Sequence, residues 1–152
     1  MRYIDLHVHS NCSDGTFSPE ELVVLGIKQE LVAFALTDHD TISGVERAIK
    51  KAEEFDNKIQ VIPGMELSCK YTISSSQSVE IHMLGYRYDI HNKKLIATLE
   101  DISNERDERN RKMCSNLQNA GFPISYDMLC ERFGDTILTR AHFARLLLEN
   151  GG

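Results

Sequence analysis

The segment that decides the fold is residues 31–40, which read LVAFALTDHD. Its first six residues form an unbroken apolar run, as expected of a parallel strand that is buried on both faces. Another strand is predicted over Tyr3–His9. Between the two, Ser18 begins a predicted helix to about Glu30, with an N-cap serine, a proline and a capping-box glutamate. Strand, helix and strand in this order indicate a parallel sheet with right-handed crossovers, hence a doubly wound α/β sheet or a barrel.

The alternation of helix and strand continues along the next fifty residues. Segment 43–46 reads as a second capping box, and apolar residues at helical spacing predict a helix over 45–55. Further strands are predicted over 60–67 and 79–88. The serine-rich segment 74–78 is predicted to form a flexible loop or a wide turn before the last of these strands.

The pattern becomes wholly helical after His91, so we expect two parts: a domain of βα units over 1–92 and a helical insert or cap over 93–152. Four strands are too few for a closed barrel, and we therefore expect the chain to be part of a longer protein. Unpaired strand edges favour self-association. The helices of the second part are predicted over 95–120, 125–132 and 139–149.

Composition narrows the classes of partner. The formal net charge of −6 argues against an extended, nonspecific nucleic-acid surface, which requires a basic face. No segment is long and apolar enough to span a bilayer, and no signal peptide is recognisable, so we expect no membrane partner. The four cysteines are scattered without a C-x-x-C pair, which is typical of reduced thiols in a cytoplasmic protein.

Histidines and carboxylates gather where the predicted strands end. In parallel α/β folds this rim is where ligands and chemistry collect. Mixed imidazole and carboxylate ligands suit zinc, manganese or iron. Such a cluster lowers the pKa of a bound water and can offset charge on a phosphoryl oxygen, so the natural reaction is hydrolysis. The candidates are His7, His9, Asp14, Asp38, His39, Asp40, Glu66 and His82.

Two of these candidates have more than one interpretation. Asp38 and Asp40 flank His39, and they could be helix caps or carboxylates that orient the ligating histidines through hydrogen bonds; Asp40 could also take part in the site directly. Glu66 has a carboxylate that could bridge two ions, so more than one metal is expected.

Several short motifs together resemble the first motifs of the PHP (polymerase and histidinol phosphatase) phosphoesterases. They are DLHVHS at 5–10, Asp14, TDHD at 37–40, PGME at 63–66 and HMLG at 82–85. The resemblance covers nearly the whole chain. It implies the N-terminal part of a distorted (β/α)7 barrel with a metal centre of up to three divalent ions, followed by a helical insert.

The resemblance also implies a role for each matching residue. His7, His9 and Glu66 would hold one ion, Glu66 and His82 a second, and Asp14 and His39 a third. A bridging water or hydroxide would be the nucleophile, with Asp14, His39 and Glu66 as the catalytic residues. Mn²⁺ is the expected metal, with Zn²⁺, Fe²⁺ and Mg²⁺ as alternatives. The family completes its centre with later ligands, which lie beyond this chain, so full activity is expected to need them.

The long helix predicted after residue 95 carries basic residues on one stripe. Arg106 and Arg109 interrupt an apolar face there, which suggests that the face looks over a polar cavity. The alternative is a solvated helix with Glu–Arg and Glu–Lys pairs four residues apart. Further on, a threonine N-cap at 139 puts Arg140 and His142 in a first helical turn, where the dipole favours an anion.

This helical part resembles the insert of PHP enzymes that remove the 3′-phosphate from nucleoside 3′,5′-bisphosphates and trim short oligoribonucleotides from the 5′ end. The resemblance implies that Arg140 and His142, with Arg106 or Arg109, bind the second phosphate of the substrate. The expected partner is thus a small phosphorylated nucleotide or a short RNA. The alternatives are a phosphatase for another phosphomonoester, such as histidinol phosphate, and a non-catalytic metal-binding PHP fragment.

Overall fold

The computed structural model describes residues 3–151, and the chain divides into two compact units, Met1–Asn92 and Lys93–Gly152. The first unit is mixed α/β and the second is helical. The elements of the first unit are β1 (Tyr3–Val8), α1 (Pro19–Lys28), β2 (Leu31–Leu36), α2 (Val45–Glu53), β3 (Gln60–Ser74) and β4 (Gln77–Tyr86).

The described strands form one sheet in the order β1-β2-β3-β4. The first three strands run parallel, each pair joined through a helix, as predicted. The prediction of parallel βα units is wrong for β4, which pairs with β3 in the antiparallel sense. The reason is that β3 continues to Ser74 and turns back at residues 75–76, so the serine-rich segment is a tight hairpin turn rather than a wide loop.

The sheet is curled into a half-barrel. The side chain of Tyr86 in β4 reaches back to β1, where its hydroxyl donates a hydrogen bond to the carbonyl oxygen of Leu6 at 2.8 Å. Because β2 and β3 lie between these two strands, the contact requires that the sheet bend around its concave face.

Helices α1 and α2 cover the other face of the sheet. The capping box predicted at the start of α1 is confirmed, with Glu21 N–H donating to Ser18 Oγ at 3.2 Å and Ser18 N–H donating to Glu21 Oε2 at 2.8 Å. The second predicted capping box is wrong, because α2 begins after Gly44 without a side-chain cap, and the backbone N–H of Ser43 donates instead to Thr41 Oγ1. The core between sheet and helices contains Leu22, Val23, Phe34, Leu36, Val45, Ala48, Ala52, Ile59 and Val61.

The second unit contains α3 (Lys93–Asn119), α4 (Tyr126–Phe133) and α5 (Arg140–Glu149). Its bounds lie within two residues of the helices predicted from the sequence. Its core is formed by Cys114, Ile124, Leu129, Leu138, Phe143 and Leu146. The guanidinium of Arg111 lies over the ring of Tyr126, 3.9 Å from its centroid, and joins α3 to α4.

Candidate metal centre

Six side chains from the first unit meet on the concave face of the sheet. They form three overlapping groups, and within each group the ligand atoms lie within 4.8 Å of one another. Every residue for which the family resemblance implies metal binding belongs to at least one group. The groups are His7–His9–Glu66, His9–Asp14–His39 and His39–Glu66–His82.

The first group has the spacing of ligands around a single ion. Nε2 of His7 lies 3.0 Å from Nε2 of His9, and both nitrogens lie 2.9 Å from Oε2 of Glu66. Two ligands that each lie about 2.1 Å from an ion, at a right angle to each other, are about 3 Å apart. The three atoms therefore suit one face of a coordination shell.

Glu66 belongs to two of the three groups and faces a different set of histidines with each of its carboxylate oxygens. Its Oε2 faces His7 and His9, whereas its Oε1 lies 2.8 Å from Nδ1 of His82. Its side chain is only 8% exposed. A carboxylate with ligand groups on both oxygens can bridge two ions, as its position in the sequence suggested.

His39 provides the test of whether a metal fits. Its Nδ1 is buried and makes no hydrogen bond, and it lies 3.6 Å from Oε2 of Glu66. A buried polar atom without a partner is costly, and a divalent ion would supply the missing partner. The donor set of imidazoles and carboxylates also matches what manganese, iron and zinc bind.

The remaining group joins the two loops that follow β1 and β2. Nδ1 of His9 lies 2.8 Å from Oδ1 of Asp14, and Nε2 of His39 lies 3.5 Å from Oδ2 of the same carboxylate. His9 and His39 thus each belong to two groups. The family resemblance, by contrast, implies that each of them holds a single ion.

The electrostatics of the cluster favour ionised carboxylates. The hydrogen bonds from His39 and His9 hold the pKa of Asp14 well below its usual range, against the effect of burial. Burial raises the pKa of Glu66, but the hydrogen bond with His7, the charge of His39 and the contact with His82 outweigh it and lower the pKa. Both groups are therefore anionic and available to a cation near neutral pH.

Asp38 anchors the loop that carries His9 and Asp14. Its carboxylate accepts hydrogen bonds from the backbone N–H of Ser10 at 2.7 Å, the hydroxyl of Ser10 at 2.6 Å and the hydroxyl of Ser13 at 2.7 Å. All three residues are at most 2% exposed. The role that the structure displays for Asp38 is thus to hold a loop, which sequence reasoning had not considered.

Asp40 acts on β3 in a similar way. It adopts a left-handed backbone conformation with φ of 50°, its N–H donates to the carbonyl oxygen of Glu66 at 3.0 Å, and its Oδ1 accepts from the N–H of Ser68 at 2.8 Å. The N–H of Glu66 in turn donates to the carbonyl oxygen of Asp38 at 3.1 Å. These contacts hold the loop after β2 against the strand that carries Glu66.

The expectation that every ligand lies at the end of a strand is wrong for two residues. Glu66 lies inside β3, beyond the point where the pairing with β2 ends at Pro63, and it forms an isolated bridge with His39. His82 lies in the middle of β4, and the antiparallel pairing of β4 places it opposite Ser68, beside Glu66. The β3–β4 hairpin therefore places His82 in the cluster from the middle of a strand. A parallel strand was expected to place this residue in the cluster from its C-terminal end.

Three further residues near the cluster were missed by sequence reasoning. Oε1 of Glu80 lies 3.3 Å from Nε2 of His82, and the spacing of two residues on one strand could have revealed this pair. The hydroxyl of Tyr88 donates to the carbonyl oxygen of Gly64 at 2.6 Å, and burial raises the pKa of this tyrosine. Tyr86, described above, is the third, and no local sequence signal indicates its contact with β1.

The candidate phosphate-binding residues lie in the helical unit. Arg140 is exposed at the start of α5. His142 is buried, its Nδ1 accepts a hydrogen bond from the N–H of Thr139 at 3.0 Å, and its ring packs edge-on against Phe133. The structure thus gives the imidazole of His142 a capping role, which occupies the nitrogen that faces the helix start.

On α3, Arg106 is buried and Arg109 is half-buried. The alternative of a wholly solvated helix is therefore wrong for this stripe. Among the described residues, no helix is long and apolar enough to cross a membrane.

A curled α/β sheet that gathers four histidines and two carboxylates on its concave face is typical of metal-dependent hydrolases. The family model of the PHP domain matches residues 5–145, and the chain belongs to this family.

Several curated relatives match nearly all of the chain, and two of them show the range of their activities. A 5′-3′ exoribonuclease of Haemophilus influenzae is 37% identical over 147 residues, which cover 97% of this chain and 51% of the relative. A 3′,5′-nucleoside bisphosphate phosphatase of Chromobacterium violaceum is 33% identical over 153 aligned positions, which cover 99% of this chain and 51% of the relative. The chain thus spans about half the length of these relatives.

A solved structure shows the same architecture. The crystal structure of a candidate metal-dependent phosphoesterase from Bifidobacterium adolescentis superposes with a TM-score of 0.82 at 30% sequence identity, over 97% of this chain and 50% of the other. The mixed α/β fold with a curled four-stranded sheet is therefore confirmed as a PHP-type arrangement, whereas its place as the N-terminal part of a distorted (β/α)7 barrel stays a prediction.

Proposed function

We propose that this chain carries the metal centre of a phosphoesterase that hydrolyses phosphate esters of small nucleotides, with water as the nucleophile. The observation that carries this proposal is the position of Glu66, whose two carboxylate oxygens face histidines on both sides within 2.9 Å. The names of the two relatives support nucleoside 3′,5′-bisphosphates and short oligoribonucleotides as the substrate class, over histidinol phosphate.

The proposed ligands follow the three groups of the cluster. Each ion would be held by one group: His7, His9 and Glu66; His39, Glu66 and His82; and His9, Asp14 and His39. A divalent ion, for which we propose Mn²⁺ with Zn²⁺, Fe²⁺ or Mg²⁺ as alternatives, supplies a Lewis acid and a water of lowered pKa.

The chain's own residues prepare this chemistry. Asp14 and Glu66 stay ionised because histidines contact them, so they neutralise cationic charge and can orient a water by accepting its hydrogen atoms. His39, with side-chain exposure of 12%, contributes a ring whose two nitrogens face the two carboxylates, with Nε2 3.5 Å from Asp14 Oδ2 and Nδ1 3.6 Å from Glu66 Oε2. We therefore propose Asp14, His39 and Glu66 as the catalytic residues.

We propose that the helical unit contributes phosphate-binding groups. Arg140 is the strongest candidate because it is an exposed residue in the first turn of α5, where the helix dipole favours an anion. Arg106 and Arg109 are further candidates. His142 could contribute to phosphate binding only while its Nδ1 keeps the hydrogen bond from the N–H of Thr139.

The test is release of inorganic phosphate from adenosine 3′,5′-bisphosphate by the full chain with added Mn²⁺. We expect release by the wild type, loss of release in His39→Ala, and unchanged release in His91→Ala, a matched control on an exposed histidine outside the cluster. Equal rates for wild type and His39→Ala would overturn the assignment of the centre. Absence of release by the wild type would overturn catalysis by this chain and leave the metal-binding fragment as its function.

A further inference from the structure

Strand β1 contains an irregularity that includes His7, a candidate metal ligand. In the pairing with β2, Asp5 lies opposite Phe34 and Val8 opposite Leu36. Two residues of β1, Leu6 and His7, therefore lie opposite a single residue of β2. This is a β-bulge, which interrupts the ladder and changes the direction in which the side chains of the bulged strand point.

A side chain from β4, the strand at the other edge of the sheet, contacts the bulge. The hydroxyl of Tyr86 donates a hydrogen bond to the carbonyl oxygen of Leu6 at 2.8 Å, and this carbonyl belongs to the peptide that links Leu6 to His7. Tyr86 is four residues after His82 on β4, and alternate residues of a strand share a face, so both side chains lie on the same face. The tyrosine thus acts from the side of the sheet that carries the cluster.

The position of the His7 ring depends on its backbone. The side chain of His7 is 49% exposed, so packing does little to restrain it, yet its Nε2 lies 3.0 Å from His9 Nε2 and 2.9 Å from Glu66 Oε2. The N–H of His7 donates to Asp5 Oδ1 at 3.1 Å, which restrains the bulge from within β1. The bond from Tyr86 restrains the same peptide segment from β4.

We propose that Tyr86 is a positioning residue for His7: its hydroxyl holds the bulge at Leu6–His7 and so directs the His7 imidazole toward Glu66 and the ion they share. This assignment rests on the proposed metal-dependent function. A purely structural role, in which the ring of Tyr86 only fills the concave face, would be kept by phenylalanine. The hydroxyl is therefore the group to remove.

The experiment compares Tyr86→Phe with the wild type in the full chain. Tyr71→Phe is the matched control, because Tyr71 is an exposed tyrosine of the same hairpin, paired with Val79 and hence on the opposite face. The first readout is ¹⁵N NMR of the histidine side chains in metal-free protein. We expect the His7 ring signals to shift in Tyr86→Phe, while those of His82 stay in place and Tyr71→Phe changes neither.

The second readout is Mn²⁺ affinity by calorimetry. We expect Tyr86→Phe to bind the ion about tenfold more weakly than the wild type, the usual effect of removing a group that orients a ligand. His7 signals and Mn²⁺ affinity equal to those of the wild type would overturn the role of Tyr86. A wild type that binds no Mn²⁺ would contradict the proposed function instead, and the metal-free NMR comparison would still decide whether Tyr86 positions His7.

Discussion

Asp38 and Ser10 form a two-point contact between the loops that follow β1 and β2. The carboxylate accepts from both the backbone N–H and the hydroxyl of Ser10, at 2.7 and 2.6 Å, and all of these groups are buried. Since His9 precedes Ser10 and His39 follows Asp38, this contact sets the distance between two metal ligands that belong to different loops.

Removal of this carboxylate is expected to destabilise the first unit. Asp38→Ala leaves buried donors on Ser10 and Ser13 without their acceptor, and we expect the free energy of unfolding to fall by about 2–4 kcal/mol. Urea denaturation followed by circular dichroism measures the change. Glu53→Ala, on the exposed surface of α2, is the control and should change stability by less than about 0.5 kcal/mol. A similar small change in Asp38→Ala would contradict the anchoring role.

Gly15 follows Asp14 in the loop between β1 and α1, and no side chain fits there. A Cβ at this position would lie 2.2 Å from the carbonyl oxygen of His9, so the backbone must move. We expect Gly15→Ala to cost about 1–3 kcal/mol of stability and to weaken Mn²⁺ binding. Gly85→Ala is the control, because its Cβ would meet only Met65 Cγ at 3.5 Å, an ordinary contact. Equal effects of the two substitutions, measured by urea denaturation, would contradict the proposed constraint.

Protonation of His9 is expected to compete with metal binding. Burial lowers the pKa of His9, but the hydrogen bond and charge of Asp14, with the charges of Glu66 and Asp38, outweigh it and raise the pKa above 6.5. An ion binds the unprotonated ring, so Mn²⁺ affinity should fall as the pH drops through this raised value, by up to about tenfold per pH unit. Calorimetry at several pH values, in buffers of different ionisation enthalpy, tests this. Affinity independent of pH would contradict it.

Arg140 is expected to discriminate substrates by their second phosphate. We expect Arg140→Ala to raise KM for adenosine 3′,5′-bisphosphate by about tenfold or more, the effect of one lost hydrogen bond to a charged group. KM for a nucleoside monophosphate should change far less. Arg145→Ala provides the control, since Arg145 lies on the same helix and pairs with Glu149 at 3.3 Å. An equal rise in KM for both substrates would remove Arg140 from phosphate recognition.

The parts of the structure that depend on neighbours in the chain were predictable. The apolar run at 31–36 is β2 with the same bounds, and the cap at Ser18 is formed as its sequence indicates. The cap at Ser43 is not formed, because Thr41 competes for the same backbone segment. Local patterns thus succeeded where no second polar residue offered the backbone an alternative partner.

The parts that depend on distant pairing were not predictable. The antiparallel return of β4 places His82 beside Glu66, and the bulge in β1 aims His7, yet neither leaves a mark in hydrophobic periodicity. The family motifs nevertheless identified the candidate ligands. A motif indicates which residues form a site, but it does not indicate the strand pairing or the bulge that brings them together. The hydrogen bonds of Asp38 with Ser10 and Ser13 also join residues that are distant in the chain, and were likewise not predictable.

The most direct test of the metal centre is calorimetric titration of Mn²⁺ into the full chain and into Glu66→Gln. Glu66 belongs to two of the three ligand groups, so its charge should affect more of the bound metal than any residue that belongs to one. The account predicts binding by the wild type and an affinity more than about 100-fold weaker in Glu66→Gln, beyond the usual effect of losing an orienting group. Equal Mn²⁺ affinity in the two proteins would contradict it.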